Sequence, residues 1–353
     1  MRCIIESALT ALLACENFSL REIFCGSFVT LSAPPPASDD EDSLSARAAW
    51  LHFVGGLTQG EVAARLNVPS GKAHRLIARA NKAGLVQIFI DGEVASCVRL
   101  EERLRKLYGL SYCEIAPDIH EGALPLRALG TLGARFLRLA IENGDDKVIG
   151  LGHGRTLAAC VARLPRMSAN HVKFVSLLGG YSRKFAANPF DVINDIAEQT
   201  GAESYVMPLP FCANSAEDRT VLMAQRGIEQ VFDLARRATL RLVGIGTVES
   251  DDASLASSGM IESEELAEIK RAGGRGEVLG HFFDARGRRV ETELTDRLMA
   301  LSPDDLKTGR MIAVAGGTAK PASIRAILES GMLHGLLTDE RTAHALAGPQ
   351  PDG

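Results

Sequence analysis

Between residues 111 and 347, short apolar runs alternate with amphipathic stretches of helical period. This alternation restricts the fold more than any other feature of the 353-residue chain. Lys147–Leu151, Val172–Leu177, Tyr205–Met207, Leu240–Ile245, Glu277–Phe283, Met311–Ala315 and Leu333–Leu337 have strand length and are mainly apolar. Helical patterns follow several of them, over 156–164, 191–200, 216–236, 263–271 and 319–329. Strands separated by helices pair in parallel with helices on both faces, so an α/β, doubly wound sheet is expected. Such sheets bind ligands in the crevice outside the carboxyl ends of their strands.

Four loops at those expected strand ends carry suitable groups. The first offers Gly152, His153, Gly154, Arg155 and Thr156, whose backbone N–H groups and hydroxyl can hold an anion or sugar hydroxyls. Close strand–helix packing explains its alternating glycines equally well. Gly179-Gly180 opens a polar loop that reaches Asn188, and Gly246-Thr247 ends another strand. Gly316-Gly317 leads to Lys320 at a helix start, where a cation is disfavoured unless it meets an anion or a carboxylate. Asp339, after the last strand, can supply that carboxylate or accept hydroxyls; a plain surface lysine is the alternative.

A different module precedes this body. A helical pattern begins near Ser43, with Leu44, Ala48, Leu51 and Phe53 as core candidates, and stops at Gly55-Gly56. Thr58-Gln59-Gly60-Glu61 reads as a capping box opening a short second helix. After a turn at Asn67–Ser70, a third helix runs to about Ala83, with Gly84 as its stop. Ala73, Leu76, Ile77 and Ala80 form its buried stripe, while Lys72, Arg75, Arg79 and Lys82 form a second, basic stripe. Between residues 43 and 90, six Lys and Arg side chains are opposed by Glu61 alone, a local charge of +5 in a chain of net charge −5. Cap, turn, stop and charge together describe a helix-turn-helix whose third helix enters the major groove of DNA. Ser70, Lys72, His74 and Arg75, in the first turns, are expected at base edges, with His74 alternatively a half-buried helix residue. Arg79 and Lys82 are expected at phosphates. Leu85–Ile90 reads as a strand, a possible wing.

Seven cysteines without a C-x-x-C pair argue for reduced cytosolic thiols rather than disulfides or a zinc site, and no metal or cofactor is expected. No apolar run reaches membrane-spanning length, so no membrane partner is expected. Residues 1–42, with Pro34-Pro35-Pro36 and the acidic run Asp39–Asp42, read as a weakly ordered extension; Glu6 interrupts what would otherwise resemble an export signal. The organisation expected is extension 1–42, helix-turn-helix 43–92, connecting helix 93–110, α/β effector domain 111–347 and tail 348–353.

Leu57-Thr58-Gln59, Arg75-Leu76-Ile77, Gly84-Leu85-Val86, Leu100–Leu104, Tyr108-Gly109-Leu110, Gly150–Leu157, Gly316-Gly317 with Lys320, and Leu337–Glu340 form an ordered set over 44–347. This set resembles the SorC family of sugar-responsive bacterial transcriptional regulators. The segments Arg47–Phe53, Lys72–Ala78, Phe174–Gly180 and Phe185–Pro189 resemble its members that govern erythritol use. The resemblance implies an effector domain similar to phosphosugar isomerases that senses its ligand without converting it. It also implies a homo-oligomer, dimer or tetramer, whose partners are operator DNA and a sugar, polyol or sugar phosphate, most simply as a repressor released by that effector. The family usually has Ser where this chain has Pro69, so the cap of the third helix is expected from Ser70.

Two other classes stay open on the residues alone. One is a sugar-phosphate isomerase using His153, Asp339 or Glu340 in proton transfer, although no acid and base are convincingly paired for it. The other is an architectural DNA-binding protein without a ligand.

Overall fold

The computed structural model of the chain describes residues 41–86, 95–182, 188, 190–249 and 254–348, and separates into two compact units on either side of Val86 and Gln87. The extension before residue 41, the wing beyond Val86 and the last five residues lie outside the described residues. Leu85 and Val86 themselves are not in a strand.

The first unit is three helices, α1 (Glu41–Phe53), α2 (Gln59–Leu66) and α3 (Ser70–Lys82). Ala48, Val62, Ala63, Ala73, Leu76 and Ile77 form its small core. Phe53, expected inside, is exposed at the end of α1. Ser45 is buried instead, because its hydroxyl donates to the Glu41 carbonyl one turn back and so leaves no unsatisfied polar atom.

The second unit opens with α4 (Ala95–Tyr108), which packs on β1 (Tyr112–Ala116). Then come α5 (Leu126–Asn143), β2 (Val148–Leu151), α6 (Arg155–Val161), β3 (Lys173–Ser176), α7 (Ile193–Thr200) and β4 (Glu203–Tyr205). The chain continues through α8 (Ala216–Met223), α9 (Ile228–Arg236), β5 (Leu240–Val243), β6 (Gly246–Thr247), α10 (Ser254–Ser257) and α11 (Ser263–Arg271). It closes with β7 (Gly274–Val278), β8 (His281–Asp284), β9 (Arg289–Val290), β10 (Arg310–Val314), α12 (Pro321–Glu329), β11 (Gly335–Asp339) and α13 (Glu340–Ala347).

Seven strands form one all-parallel sheet in the order β1-β11-β10-β5-β2-β3-β4. Strand alternation divides its core. Ile149, Leu151, Phe174, Leu240, Leu242, Ile312 and Val314 lie under α5, α6 and α7. Val175, Val243, Met311, Ala313 and Leu336 lie under α4, α9, α12 and α13. The chain leaves β2 toward β3 and β4 but leaves β5 toward β10 and β11. Loops after these two adjacent strands therefore diverge and open a crevice at the switch point.

The remaining strands depart from the expected pattern. The run Glu277–Phe283 is not one strand but a tight hairpin, part of a four-stranded sheet ordered β6-β7-β8-β9. Its two turn residues, Leu279 and Gly280, have φ of 51° and 83°, as a turn matched to strand twist requires. Leucine is a costly choice at the first of these. The stretch 216–236 is likewise two helices, separated at Gly227, whose φ is 94°.

Candidate functional site

The helix-turn-helix unit is built by local bonds. Thr58 N–H donates to Glu61 Oε2 at 2.7 Å and Glu61 N–H returns a bond to Thr58 Oγ1 at 3.3 Å, completing the expected capping box. A cap of this kind contributes about 1 kcal/mol. Asn67 ends α2 in the left-handed region with φ 52°. The start of α3 corrects the sequence expectation. Pro69 occupies the N-cap position without a side-chain bond, and Ser70 lies inside the first turn instead of capping it. Pro fits there because the missing N–H and fixed φ cost nothing at a helix entry.

Ser70, Lys72, His74, Arg75 and Lys82 are all exposed on α3. His74 Nδ1 lies 3.2 Å from Gln59 Oε1 on α2, which orients the ring. Arg79 is also exposed, but it is engaged. Its Nη1 donates to Glu41 Oε2 at 2.7 Å, its Nε to Asp42 Oδ1 at 3.0 Å, and its Nη2 lies 2.8 Å from the same Asp42 oxygen. The Asp42 bond and the two negative charges raise its already high pKa further.

In the second unit, the switch-point crevice is lined by Gly152–Thr156, Gly244–Gly246, Leu255, Glu277, Leu279 and Lys320, around about 540 Å³ of space open to solvent. Gly152 N–H donates to the Leu242 carbonyl and Gly154 N–H to the Phe190 carbonyl, which fixes the loop between β2 and α6. Lys320 is the N-cap residue of α12, and its Nζ donates to the Ile245 carbonyl at 2.6 Å. Burial lowers its pKa to about 8, with Arg155 adding to the shift and Glu277 opposing it. Glu277 is buried in the wall and accepts from Gly280 N–H at 2.6 Å. Burial raises its pKa to about 7 against that bond and the Lys320 charge. His153, with Phe211 beside its ring, is desolvated to about 4 and stays neutral. The crevice thus presents two cations, one carboxylate near its titration point, a neutral imidazole and a glycine loop. Such a set can hold hydroxyls, and its cations can hold an anionic group.

Seven expected residues meet here: Gly152, His153, Gly154, Arg155, Thr156, Gly246 and Lys320. The others do not. Thr247 is buried, its hydroxyl accepting from Glu249 N–H. Gly179 packs against Leu209 and Pro210, and Gly180 against Asp191. Asn188 accepts from Phe190 N–H, and its Nδ2 has no partner among the described residues. Gly317 and Asp339 border a separate recess with Pro117 and Arg341, and Gly316 packs against Asp339. The Asp339 carboxylate is consumed there by Gly317 N–H, Thr342 N–H and the Thr342 hydroxyl, capping α13. The carboxylate facing Lys320 is therefore Glu277. In the sequence Glu277 is only the first residue of the run Glu277–Phe283, and a lone acid opening an apolar run is the one local signal for it.

A helix-turn-helix unit followed by a doubly wound body with a polar strand-end crevice has the layout of a transcriptional regulator. Residues 92–347 match the family model described as "Sugar-bind: Putative sugar-binding domain". The chain belongs to this SorC-type family. It is 58% identical to the erythritol catabolism regulatory protein EryD of Brucella abortus (strain 2308), over 90% of this chain and 99% of that protein. It is 31% identical to the transcriptional regulator LsrR of Enterobacter sp. (strain 638), over 87% of this chain and 93% of that one. The full-length sorbitol operon regulator SorC from Klebsiella pneumoniae shares the fold, with a TM-score of 0.66, 24% identity, and 88% and 99% of the two chains covered. A transcriptional regulator from Streptococcus pneumoniae TIGR4 aligns at 25% identity and TM-score 0.62, covering 70% of this chain and 95% of that one. The chain is a transcriptional regulator of this family and not an enzyme, so the isomerase alternative falls.

Proposed function

We propose that the chain represses a polyol catabolic operon, binding operator DNA through α3 and leaving it when erythritol or its phosphate enters the switch-point crevice. The observation that carries this reading is the convergence of Lys320, Arg155, His153 and Glu277 on one crevice at the divergence of β2 and β5. The cations suit a phosphate, and the glycine loop and Glu277 suit hydroxyls. Identity to an erythritol catabolism regulator supports the choice of polyol. In this reading Ser70, Lys72, His74, Arg75 and Lys82 face DNA. A homo-oligomer pairs two such units on two half-sites. The regulator works in the cytoplasm with its operon; no described helix is long and apolar enough to cross a membrane.

The test is operator binding titrated with erythritol, its phosphates and a panel of pentitols. Release by erythritol or its phosphate, at a concentration where the other polyols do nothing, is the expected result. Release by a pentitol alone reassigns the effector, and release by none removes the proposed mechanism.

A further inference from the structure

The basic stripe of α3 faces a specific opponent within its own unit. Arg79 is held by Glu41 and Asp42, the first two residues of α1, through three donor–acceptor distances of 2.7, 3.0 and 2.8 Å. All three side chains are at least 47% exposed, so water and other ions reach them. An exposed ion pair of this kind is weak, because solvent screens it. The same guanidinium lies at i+4 from Arg75 and i+7 from Lys72, on the edge of the stripe expected to meet phosphates. Two more acids, Asp39 and Asp40, directly precede the pair in sequence.

We infer that Glu41 and Asp42 determine DNA selectivity, holding Arg79 off the phosphates of arbitrary duplex so that only a well-fitted site displaces them. The carboxylates occupy the donors a phosphate would use, and a phosphate oxygen is the same kind of acceptor. Non-specific binding comes almost wholly from released counterions, one for each phosphate neutralised. Withholding one guanidinium per chain therefore lowers affinity for every sequence. Where base contacts on the first turns of α3 fix the register, exchanging carboxylate for phosphate is repaid by the tighter fit. This rests on α3 being the helix that faces DNA.

The experiment measures binding of the full chain to a mixed-sequence 30-base-pair duplex over a salt series. The proteins are wild type, E41Q/D42N, R79Q and the triple variant. Glutamine and asparagine keep side-chain size, and circular dichroism shows whether each protein remains helical. E41Q/D42N is expected to bind the duplex several-fold more tightly at low salt. Its slope of log affinity against log salt should steepen by about 0.9 for each chain engaged on DNA. Adding R79Q should cancel that steepening, and R79Q should cost more in the acid-free background than in wild type. An unchanged slope in E41Q/D42N overturns the inference. So does a gain that survives in the triple variant, which would assign it to general charge. If no protein in the set binds duplex at any salt, α3 is not the DNA-facing helix and both readings fall together. Weaker duplex binding and a flatter salt slope in K82Q, measured alongside, with the clamp cycle showing additivity, would instead leave α3 on DNA and overturn the clamp alone.

Discussion

Lys320 Nζ donates to the Ile245 carbonyl at 2.6 Å, tying the start of α12 to the loop that follows β5. This bond lies in the crevice wall and joins two of the elements that line it. The ammonium is desolvated, lies near Glu277 and shares its surroundings with Arg155. An anionic group arriving there relieves the repulsion between the two cations and competes with the Ile245 carbonyl for the same proton donors.

Lys320→Ala should therefore preserve operator affinity and abolish release. Binding curves with and without effector, at the concentration that frees half of the wild type, check this. Linkage requires that operator DNA weaken effector binding to wild type by the same factor, typically about 1–3 kcal/mol of coupling. A variant that still releases DNA at the wild-type concentration removes Lys320 from the effector contacts.

The crevice also predicts opposite pH responses from two neighbours. Glu277 has its pKa raised from 4.5 to about 7, so across that window the folded chain keeps a proton that the unfolded chain has released. Its contribution to stability is present at low pH and is lost as pH rises through 7. E277Q should gain on wild type as pH climbs from 4.5 to 7, then hold the gain, by roughly 1–3 kcal/mol. His153 is lowered from 6.5 to about 4, so below 6.5 the unfolded chain binds the extra proton and wild type loses stability on acidification. H153Q should gain on wild type as pH falls from 6.5 to 4. Urea melts of the three proteins from pH 4 to 8 would show the two differences running in opposite directions.

Helix contact between α5 and α6 sets a further expectation. A methyl group on Gly133 would collide with Cys160 Sγ, and one on Gly130 would lie 2.7 Å from the Ala159 carbonyl. The two helices approach this closely because those positions have no side chain. Gly133→Ala should cost about 1–3 kcal/mol by overpacking, despite improved helix propensity. A Tm raised by the substitution would show that α6 can shift without penalty.

The same glycines show why parts of the fold were illegible in sequence. Periodicity placed six of the seven parallel strands because each of those runs was apolar and bounded; β1, which carries Glu114, was not among them. α5 carries Gly130 and Gly133 within its span, residues that punctuate helices elsewhere, and their purpose appears only when α6 is beside them. The β7–β8 hairpin was hidden by Leu279, an apolar residue at a turn position that ordinarily signals itself with Asn or Gly. Site residues followed the same division. Gly152 to Thr156 and Lys320 follow strands in sequence and could be found there. Glu277 reaches the crevice from the small antiparallel sheet, which local sequence does not encode, whereas the Asp339 cap on α13 is a local i to i+3 pattern that the sequence does carry. In the first unit, the capping box and buried stripe were local patterns, whereas the partners of Arg79 lie 37 and 38 residues away.

Arg75 gives the sharpest test of the DNA surface. It lies in the second turn of α3, exposed, opposite the buried stripe of Ala73, Leu76, Ile77 and Ala80. Base contacts discriminate between sequences and phosphate contacts do not. Arg75→Ala should cost about 1–3 kcal/mol on the operator, the value of one good bidentate base contact, and much less on a scrambled duplex of equal length. Lys82→Ala, at the far end of the helix, should instead weaken both duplexes alike and flatten the salt dependence. Titrations on both DNAs at three salt concentrations separate these outcomes. Equal losses on operator and scrambled DNA for Arg75→Ala would place Arg75 on the backbone and move base reading to Ser70, Lys72 and His74.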